Sequence, residues 1–569
     1  MLKYTISYQY PHRSFLDLEL VIDDISTDTL ELHLPNWRPG RYQIQNFAKN
    51  IRRFEVYSEN GSPLPYRKTN KSIWQIQTQN TNKITVKYEY FARQVDAGGS
   101  CLTDNLLYIN WITCAFYLKD RMNEPYEIKL EIPKNYQIAC SLDQKNQILF
   151  APNFYELVDA PLMASPNLKH QTYQCEGFDT TFHLWFEGNV SPNWEKIKTD
   201  FQEFTEIQLK LFQEFPASDY HFLFLILPIK QYHGVEHRNS TMIVMGKDSD
   251  FENFYHADIL GISSHELFHF WNAIRIRPTE LSPYNFDHEN YFETGFVIEG
   301  LTTYYGDYLL FRSKVWSEAD YFKELNQLFK RHFDNHGRFY KSVAESSTDL
   351  WLDGYELGIP NRKTSIYVKG AITAFMLDLK IRELTQNQKS LDNVMRLLWK
   401  NYGKSEIGYT CKNYIESVNL VAGTDLNDFF EKYIFGTEPL ENPLRESLNF
   451  IGCELQKVPA KTKLEEIFGI QTLPNNGTIW RIATNSPADF ALTVGDEILQ
   501  INGQKFSSNF SFPENNLIKL NFTIKRIGQE LNLELTPHEE SYFPQFQIRK
   551  KVNMTESQQQ NFEAWQTYI

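Results

Sequence analysis

In the stretch SSHELFHFWNAIRIRP, residues 263–278, His265 and His269 stand four apart and Glu266 adjoins the first. Positions i and i+4 of a helix share a face, so both imidazoles can be aimed at one ion while Glu266 borders its open side. Two nitrogens and one carboxylate are the donor set of a hydrolytic zinc. They leave a position for water, whose pKa falls toward ~7 on the metal, and a neighbouring glutamate can take its proton. The same spacing also occurs in helices whose histidines are ordinary core or surface residues. The reading therefore depends on whether the chain supplies a third ligand, a substrate anchor and a donor for the transition state.

Three candidates for the third ligand stay open on the residues alone. A short interval after His269 brings His288 or Glu289 to the ion, within the polar loop sequence DHEN at 287–290. A longer one brings Glu299, at the start of GFVIEGLTTYYGDYLLF, where packing of a long helix would hold a side chain rigidly. Glu280, Glu289 and Glu293 read as solvated loop acids.

The elements that must position these residues are numerous. At 569 residues the chain is too long for one hydrophobic core. It is 42% hydrophobic and 15% aromatic, which gives ample apolar area to bury. A net charge of −14 with no basic patch argues against nucleic acid and against anionic membrane surfaces. The six cysteines form no C-x-x-C pair and read as buried free thiols. MLKYTISYQYPHRSFLDLEL alternates like a strand and lacks the apolar core of a signal peptide. A soluble, cytoplasmic protein is expected as the chain is written; a secreted or periplasmic one with its leader trimmed would read the same.

Period and composition predict a multidomain α+β chain. Residues 1–170 carry short alternating runs (YTISYQY, LELVI, TLELHL, KITVKYEYFA) between turn clusters, the pattern of an antiparallel β-sandwich. From about 195 the period becomes helical. HFLFLILPI follows as a buried strand, and helices are expected at 258–275, 296–313, 318–333, 365–384 and 390–401. A catalytic domain, mixed α/β and then mostly α-helical, is placed at 171–445. A further β domain is placed at 446–545 and a helical tail at 546–569, where Thr555-Glu556-Ser557-Gln558 has the form of a capping box.

HELFHFWNAIRIRP followed, after an extended interval, by IEGLTTYYGDYLL resembles the glycyl aminopeptidase family, gluzincin metallopeptidases with a thermolysin-like catalytic domain and a PDZ domain. The resemblance implies His265, His269 and Glu299 as ligands of one Zn²⁺ per chain and Glu266 as general base, and it lifts Glu299 above Glu289. It extends to PNWRPGRYQIQNFAKNI and YELVDAPLM in the N-terminal β domain, where Trp37, Pro39, Gly40 and Tyr42 are expected to shape a turn and fill a core, with no chemistry.

YHGVEHRNST (232–241) resembles the family's G-G-x-E-H-x-x-S segment, with His233 in place of the first glycine and Gly234 kept. It implies Glu236, with Gly234 beside it, as the site for the substrate's free ammonium, which restricts cleavage to the first peptide bond. His233 is expected to narrow the space a glycine would leave, and His237 to pack behind. SIYVKGAITAF (365–375) resembles the family's Y-x-K-G helix start, which implies Tyr367 as oxyanion donor. Tyr304, Tyr305, Arg275 and Arg277 are expected to be structural.

NSPADFALTVGDEILQING, within 464–506, resembles the core of bacterial PDZ domains, with Phe468-Gly469-Ile470 at the carboxylate-binding loop. Such a groove would take a peptide C-terminus, or the domain would serve as a wall. The implied activity is a zinc aminopeptidase that removes glycine and alanine from peptides with a free N-terminus. The competing readings are a zinc endopeptidase that recruits protein tails through the PDZ groove, and a non-catalytic binding protein on a peptidase fold.

Overall fold

The computed structural model describes residues 1–567 apart from 80, 357, 475, 508, 509, 511 and 513–518. The N-terminal region is β-rich. Its largest sheet has seven strands in the order Asp143–Lys145, Ile148–Ala151, Tyr126–Leu130, Leu2–Ser7, Phe15–Ile22, Ile84–Phe91, Ile51–Ser58. Alternation places Leu16, Leu18, Leu20 and Ile22 in the core, as a half-buried strand requires. Two details differ from the expected antiparallel sandwich. Leu2–Ser7 pairs parallel with Tyr126–Leu130, and the remaining strands fall into a three-stranded and a four-stranded sheet. Alternation reports which face is buried and carries no information on strand direction.

The second body opens with a five-stranded sheet, in the order Lys169–Tyr173, Thr181–Glu187, Asp219–Leu227, Ser240–Gly246, Gln231–His237. Asp219–Leu227 is parallel to both neighbours and buried along nearly its whole length, the solution for a continuous apolar run. Gln231–His237 pairs only with Ser240–Gly246, antiparallel, and forms the edge. The predicted helices follow at Leu260–Phe268, Thr302–Arg312, Glu318–Phe333, Ile366–Leu384 and Leu391–Leu398. The first is shorter than expected: it ends at Phe268, and the chain turns away through Ala273, whose φ is +91°, with the Asn272 side chain bound to the Val297 carbonyl. Gly300 and Gly370 make the crossing of two helical segments possible. A Cβ on Gly300 would lie 2.6 Å from Gly370 Cα.

Beyond 450 the packing differs from the boundaries set by composition at 446 and 545. Cys453–Val458 pairs antiparallel with Gln545–Lys550, and the Ile548 N–H donates to Asn326 Oδ1 on helix Glu318–Phe333. Helix Glu556–Gln566, with the expected capping box, inserts Trp565 among Tyr308, Phe375 and Phe562. The tail is thus part of the helical core and not an appendage. A smaller β unit lies between these strands with its own core of Leu464, Phe468, Ile470, Ile479, Ile498, Ile501, Phe522 and Ile524. Most of 508–518, within the span 446–545, lies outside the described residues. The unit is fastened to the helical body where Gln471 Nε2 donates to Asp334 Oδ2 (3.1 Å) and the Thr484 N–H to His336 Nδ1 (3.0 Å). The six cysteines are free and buried. Among the described residues no helix is long and apolar enough to cross a membrane.

Trp565 is fully buried, its carbonyl accepts from the Tyr308 hydroxyl, and Arg382 Nη1 donates to the preceding carbonyl of Ala564. Removing so large a side chain leaves a cavity the surroundings fill only in part. Trp565→Ala is expected to destabilise the protein by about 3–5 kcal/mol, read as a lower urea midpoint; an unshifted midpoint would mean the tail is not part of the cooperative core.

Candidate metal and active site

His265 and His269 lie one turn apart at the end of helix Leu260–Phe268, with Glu299 facing them from the irregular turn Phe296–Leu301. The two Nε2 atoms are 3.1 Å apart. Glu299 Oε2 is 3.8 Å from the first and 3.4 Å from the second. A tetrahedral ion with bonds of about 2.0–2.2 Å needs ligand atoms ~3.3–3.6 Å apart, so the donor set and its spacing fit a zinc. Glu236, Glu266 and His269 form a second such group, which shares His269 with the first. His288 and Glu289 belong to neither: they sit on the loop, where His288 is exposed and bonded to Asn285 and to the Glu289 carbonyl.

The supports behind this geometry are specific. His269 Nδ1 donates to the Asn272 carbonyl (2.9 Å), which leaves Nε2 free to bind a metal. The same asparagine donates through Nδ2 to the carbonyls of Val297 and Ile298 and to Thr302 Oγ1, so one side chain ties the histidine turn to the glutamate turn. Ser264 Oγ donates to the Gly306 carbonyl and Gln208 Nε2 to the Ser264 carbonyl, which lock the two helices and the helix beneath them. Tyr304 and Tyr305 are core residues with their hydroxyls on Asp378 and Asp392. Arg275 is buried against the carbonyls of Arg238 and Phe270, and Arg277 bonds those of Ala273 and Ile274.

Burial opposes charge on every group here. On Glu299 the facing histidines overcome it and hold the carboxyl below its ordinary value. On His269 the bond to Glu299 and the fields of Glu236, Glu299 and Glu266 overcome it and raise the imidazole. For Glu266 and Glu236 burial dominates, and both carboxyls are raised. Glu266 is 5% exposed and its Oε2 has no partner among the described residues. In this recess three carboxylates and two imidazoles face the field of the buried Arg38 guanidinium, and burial still outweighs that field on Glu236 and Glu266.

Gly234, on the edge strand, lies directly over Glu266: a Cβ there would be 2.3 Å from Glu266 Oε1. Two positions later Glu236 points to the same side. Its carboxylate rests against Gly40, whose backbone has φ +73° and whose added Cβ would lie 2.5 Å from Glu236 Oε2. The expectation that Trp37, Pro39, Gly40 and Tyr42 shape a turn and fill a core holds for the buried Trp37 and Tyr42 and for the turn at Gly40; beyond it, their loop forms the end wall of the recess. The loop is held there by the interval between the histidines and Glu299: the Asn36 N–H donates to Phe286 O and Trp37 Nε1 to Asn285 O, while Asp287 binds His33, Tyr117 and Lys119.

His233 also departs from expectation. Its side chain turns to the opposite face of the strand, where Nδ1 accepts from the Ala97 N–H (3.2 Å), so it does not narrow the cleft over Glu266. His237 packs behind the strand against Asp159 (2.8 Å).

Tyr367 stands in the first turn of helix Ile366–Leu384, half-buried. Its hydroxyl is raised by burial first and then by Glu299, Tyr355, Tyr42 and Glu236, which places it at the same recess. Tyr355, which no local sequence signal marks, belongs there too: its hydroxyl accepts from the Tyr42 N–H (3.2 Å).

Residues 3–166 match the peptidase M61 N-terminal domain, and residues 258–373 match the M61 glycyl aminopeptidase domain. The chain carries both domains of the M61 glycyl aminopeptidase family. By that family it is a hydrolase of the peptidase class. The M61 chain is similar over its whole length to an aminopeptidase N family protein of Idiomarina loihiensis, with a TM-score of 0.89, 25% identity and 100% of each chain covered. A weaker likeness, TM-score 0.47 and 12% identity, links 77% of it to 94% of an M1 zinc metallopeptidase from Deinococcus radiodurans. No curated protein matches the chain in sequence.

Gly40 generates a test of the end wall. A side chain there is strained at positive φ and would push the Glu236 carboxylate. Gly40→Ala is expected to leave metal content unchanged and to raise KM for alanine p-nitroanilide about tenfold or more, ~1.4 kcal/mol of binding. An unchanged KM would remove Gly40 from the anchor.

Proposed function

We propose that this M61 chain is a zinc aminopeptidase that removes small N-terminal residues, glycine and alanine, from peptides with a free N-terminus. The observation that carries it is the arrangement along the edge strand. The carboxylate of Glu236 shares one buried recess with the His265, His269 and Glu299 triad, and the loop at Gly40 lies against that carboxylate at the recess end. A peptide reaching this point has its first residue at the triad and a wall before it. The family's description as glycyl aminopeptidases supports the preference for small residues.

Zinc held by His265, His269 and Glu299 would supply Lewis-acid polarisation of the substrate carbonyl and a water of lowered pKa. Glu236 pairs with the substrate ammonium, which fixes the first peptide bond over Glu266 and makes the attack effectively intramolecular. Glu266 takes the proton of the attacking water and delivers it to the departing amine; burial raises its carboxyl, so it can hold that proton between the two steps. The Tyr367 hydroxyl donates to the oxygen that gains charge in the transition state, with Tyr355 and Tyr42 keeping that side of the recess dry.

The working domain division is residues 1–170, then a thermolysin-like catalytic body over 171–445 that also includes 453–458 and 545–567. The unit between those last strands is PDZ-like in its sequence core, and its fastening through Gln471 and Thr484 favours a structural role over capture of peptide tails.

N-acetylation decides between this reading and an endopeptidase. Wild type is expected to cleave alanine p-nitroanilide and Ala-Ala-Ala and to reject their N-acetyl forms. Glu236→Ala should narrow that gap by raising KM for the free amine, and Glu266→Gln should lower kcat by about 10²–10⁴-fold. Equal turnover of blocked and free peptides would establish the endopeptidase reading instead.

A further inference from the structure

The groove continues past the metal triad, away from the Gly40 wall. Three elements carry it. On the edge strand, Glu236, Gly234 and Tyr232 alternate onto one face. On the histidine helix and the turn before it, His265, Gly261 and Asp258 form an open stripe, half-buried, half-buried and exposed, among buried neighbours. On the facing helix, Glu299, Thr303 and Asp307 follow at successive turns, the last two half-buried. Each element thus sends one residue to the triad end and one to the far end: Tyr232, Asp258 and Asp307.

Two independent features mark this groove as a peptide site. The outer backbone edge of Gln231–His237 is unpaired, so an extended chain can add to it. The Glu266 carboxylate lies beneath Gly234, with Oε1 2.3 Å from where a Cβ would stand, and its other oxygen, Oε2, is buried with no partner among the described residues. At ~3.4 Å per residue, Tyr232 lies about 14 Å from Glu236, so a peptide anchored there by its amine runs toward Tyr232, with the side chains of its second and third residues reaching in that direction.

The far end has a definite chemistry. Tyr232, on the same strand face as Glu236 and Gly234, is 60% exposed. The Asp258 and Asp307 carboxylates have neither a hydrogen bond nor an ion pair among the described residues, and Glu324 stands behind them on helix Glu318–Phe333. The carboxyl of Asp307 is pushed up to about 8 by burial and then by Glu324, against the field of Arg331. The tyrosine hydroxyl, enclosed although much of the residue is exposed, is raised by burial and then by the fields of Asp307, Asp258, Glu266 and Glu324. The nearby cations are Lys230, Lys323 and Arg331; all three are exposed and none pairs with either aspartate.

We propose that Asp307, with Tyr232 and Asp258, forms a subsite for a cationic side chain, lysine or arginine, on the second or third residue of the substrate. A carboxylate recessed and left unpaired is offset by an incoming ammonium or guanidinium, and the tyrosine face adds a cation–π contact. The inference rests on the aminopeptidase reading for the direction in which the peptide lies.

The test measures binding apart from turnover. Zinc-loaded Glu266→Gln protein is titrated calorimetrically with Ala-Lys-Ala, Ala-Ala-Lys, Ala-Ala-Ala and Ala-Glu-Ala. At least one lysine peptide is expected to bind about tenfold or more tighter than Ala-Glu-Ala, and the added Asp307→Asn or Asp258→Asn substitution, each near-isosteric, should erase most of that gap. Equal affinities, or a lysine preference that survives both substitutions, would overturn the subsite. Hydrolysis of Ala-Ala-Ala by wild type separates the two proposals: cleavage without any lysine preference leaves the aminopeptidase and removes the subsite. Lysine-selective binding with no cleavage of any of the four peptides keeps the cation subsite and removes the aminopeptidase.

Discussion

Three carboxylates, Glu236, Glu266 and Glu299, are each 6% exposed or less and converge on two imidazoles. Desolvated like charges repel here, and the field of the buried Arg38 guanidinium on Glu236 and Glu266 is outweighed by burial, so both carboxyls are raised. Under the proposed function a divalent ion and a substrate ammonium would supply the positive charge that relieves that repulsion. On that reading the site takes two cationic guests, one resident and one transient, and much of the surrounding architecture holds the five side chains against their own repulsion. Asn272 bridges the turns that carry His269 and Glu299, Ser264 and Gln208 strap the helices, and Gly300 against Gly370 lets the helix that bears Tyr367 come close.

The N-terminal β region belongs to this site as much as the helical body does. Its loop at Gly40 abuts the anchor carboxylate, and the loop is clasped by the segment between His269 and Glu299. The extended interval thus has a physical use: Asn285, Phe286 and Asp287 reach back to grip Trp37, Asn36, His33 and Tyr117. Asp287 is held well below the ordinary carboxylate range: burial raises it, but bonds to His33, Lys119 and Tyr117 overcome that. A depressed carboxyl stabilises the fold above its unfolded pKa and loses that contribution only as pH falls toward the folded value, so the clasp persists through the neutral range.

What the sequence made legible was local. The i, i+4 histidines, the capping box at Thr555, the alternating strands and the helical periods are written in neighbouring residues, and the structure has those elements. Only the rigidity of a helix start set Glu299 apart from His288 and Glu289 until a resemblance to a known family was used, because ligand choice across 29 intervening residues depends on how the chain returns. The contacts that escaped are non-local. Gly40 on Glu236, Tyr355 on Tyr42 and Trp565 on Tyr308 join residues hundreds of positions apart, and nothing in their own neighbourhoods signals the partner. Strand direction escaped for a related reason: alternation fixes the face of Leu2–Ser7 but not that it pairs parallel with Tyr126–Leu130.

The central claim is that the paired histidines and Glu299 form a zinc centre, and the most direct measurement is elemental analysis of wild type beside Glu299→Ala, with folding of both checked by circular dichroism. The account predicts about one zinc per wild-type chain and loss of most of it in a folded variant. A variant that keeps its full zinc content would take Glu299 out of the ligand set, and a folded wild type that holds no zinc when supplied with it would contradict the account at its base.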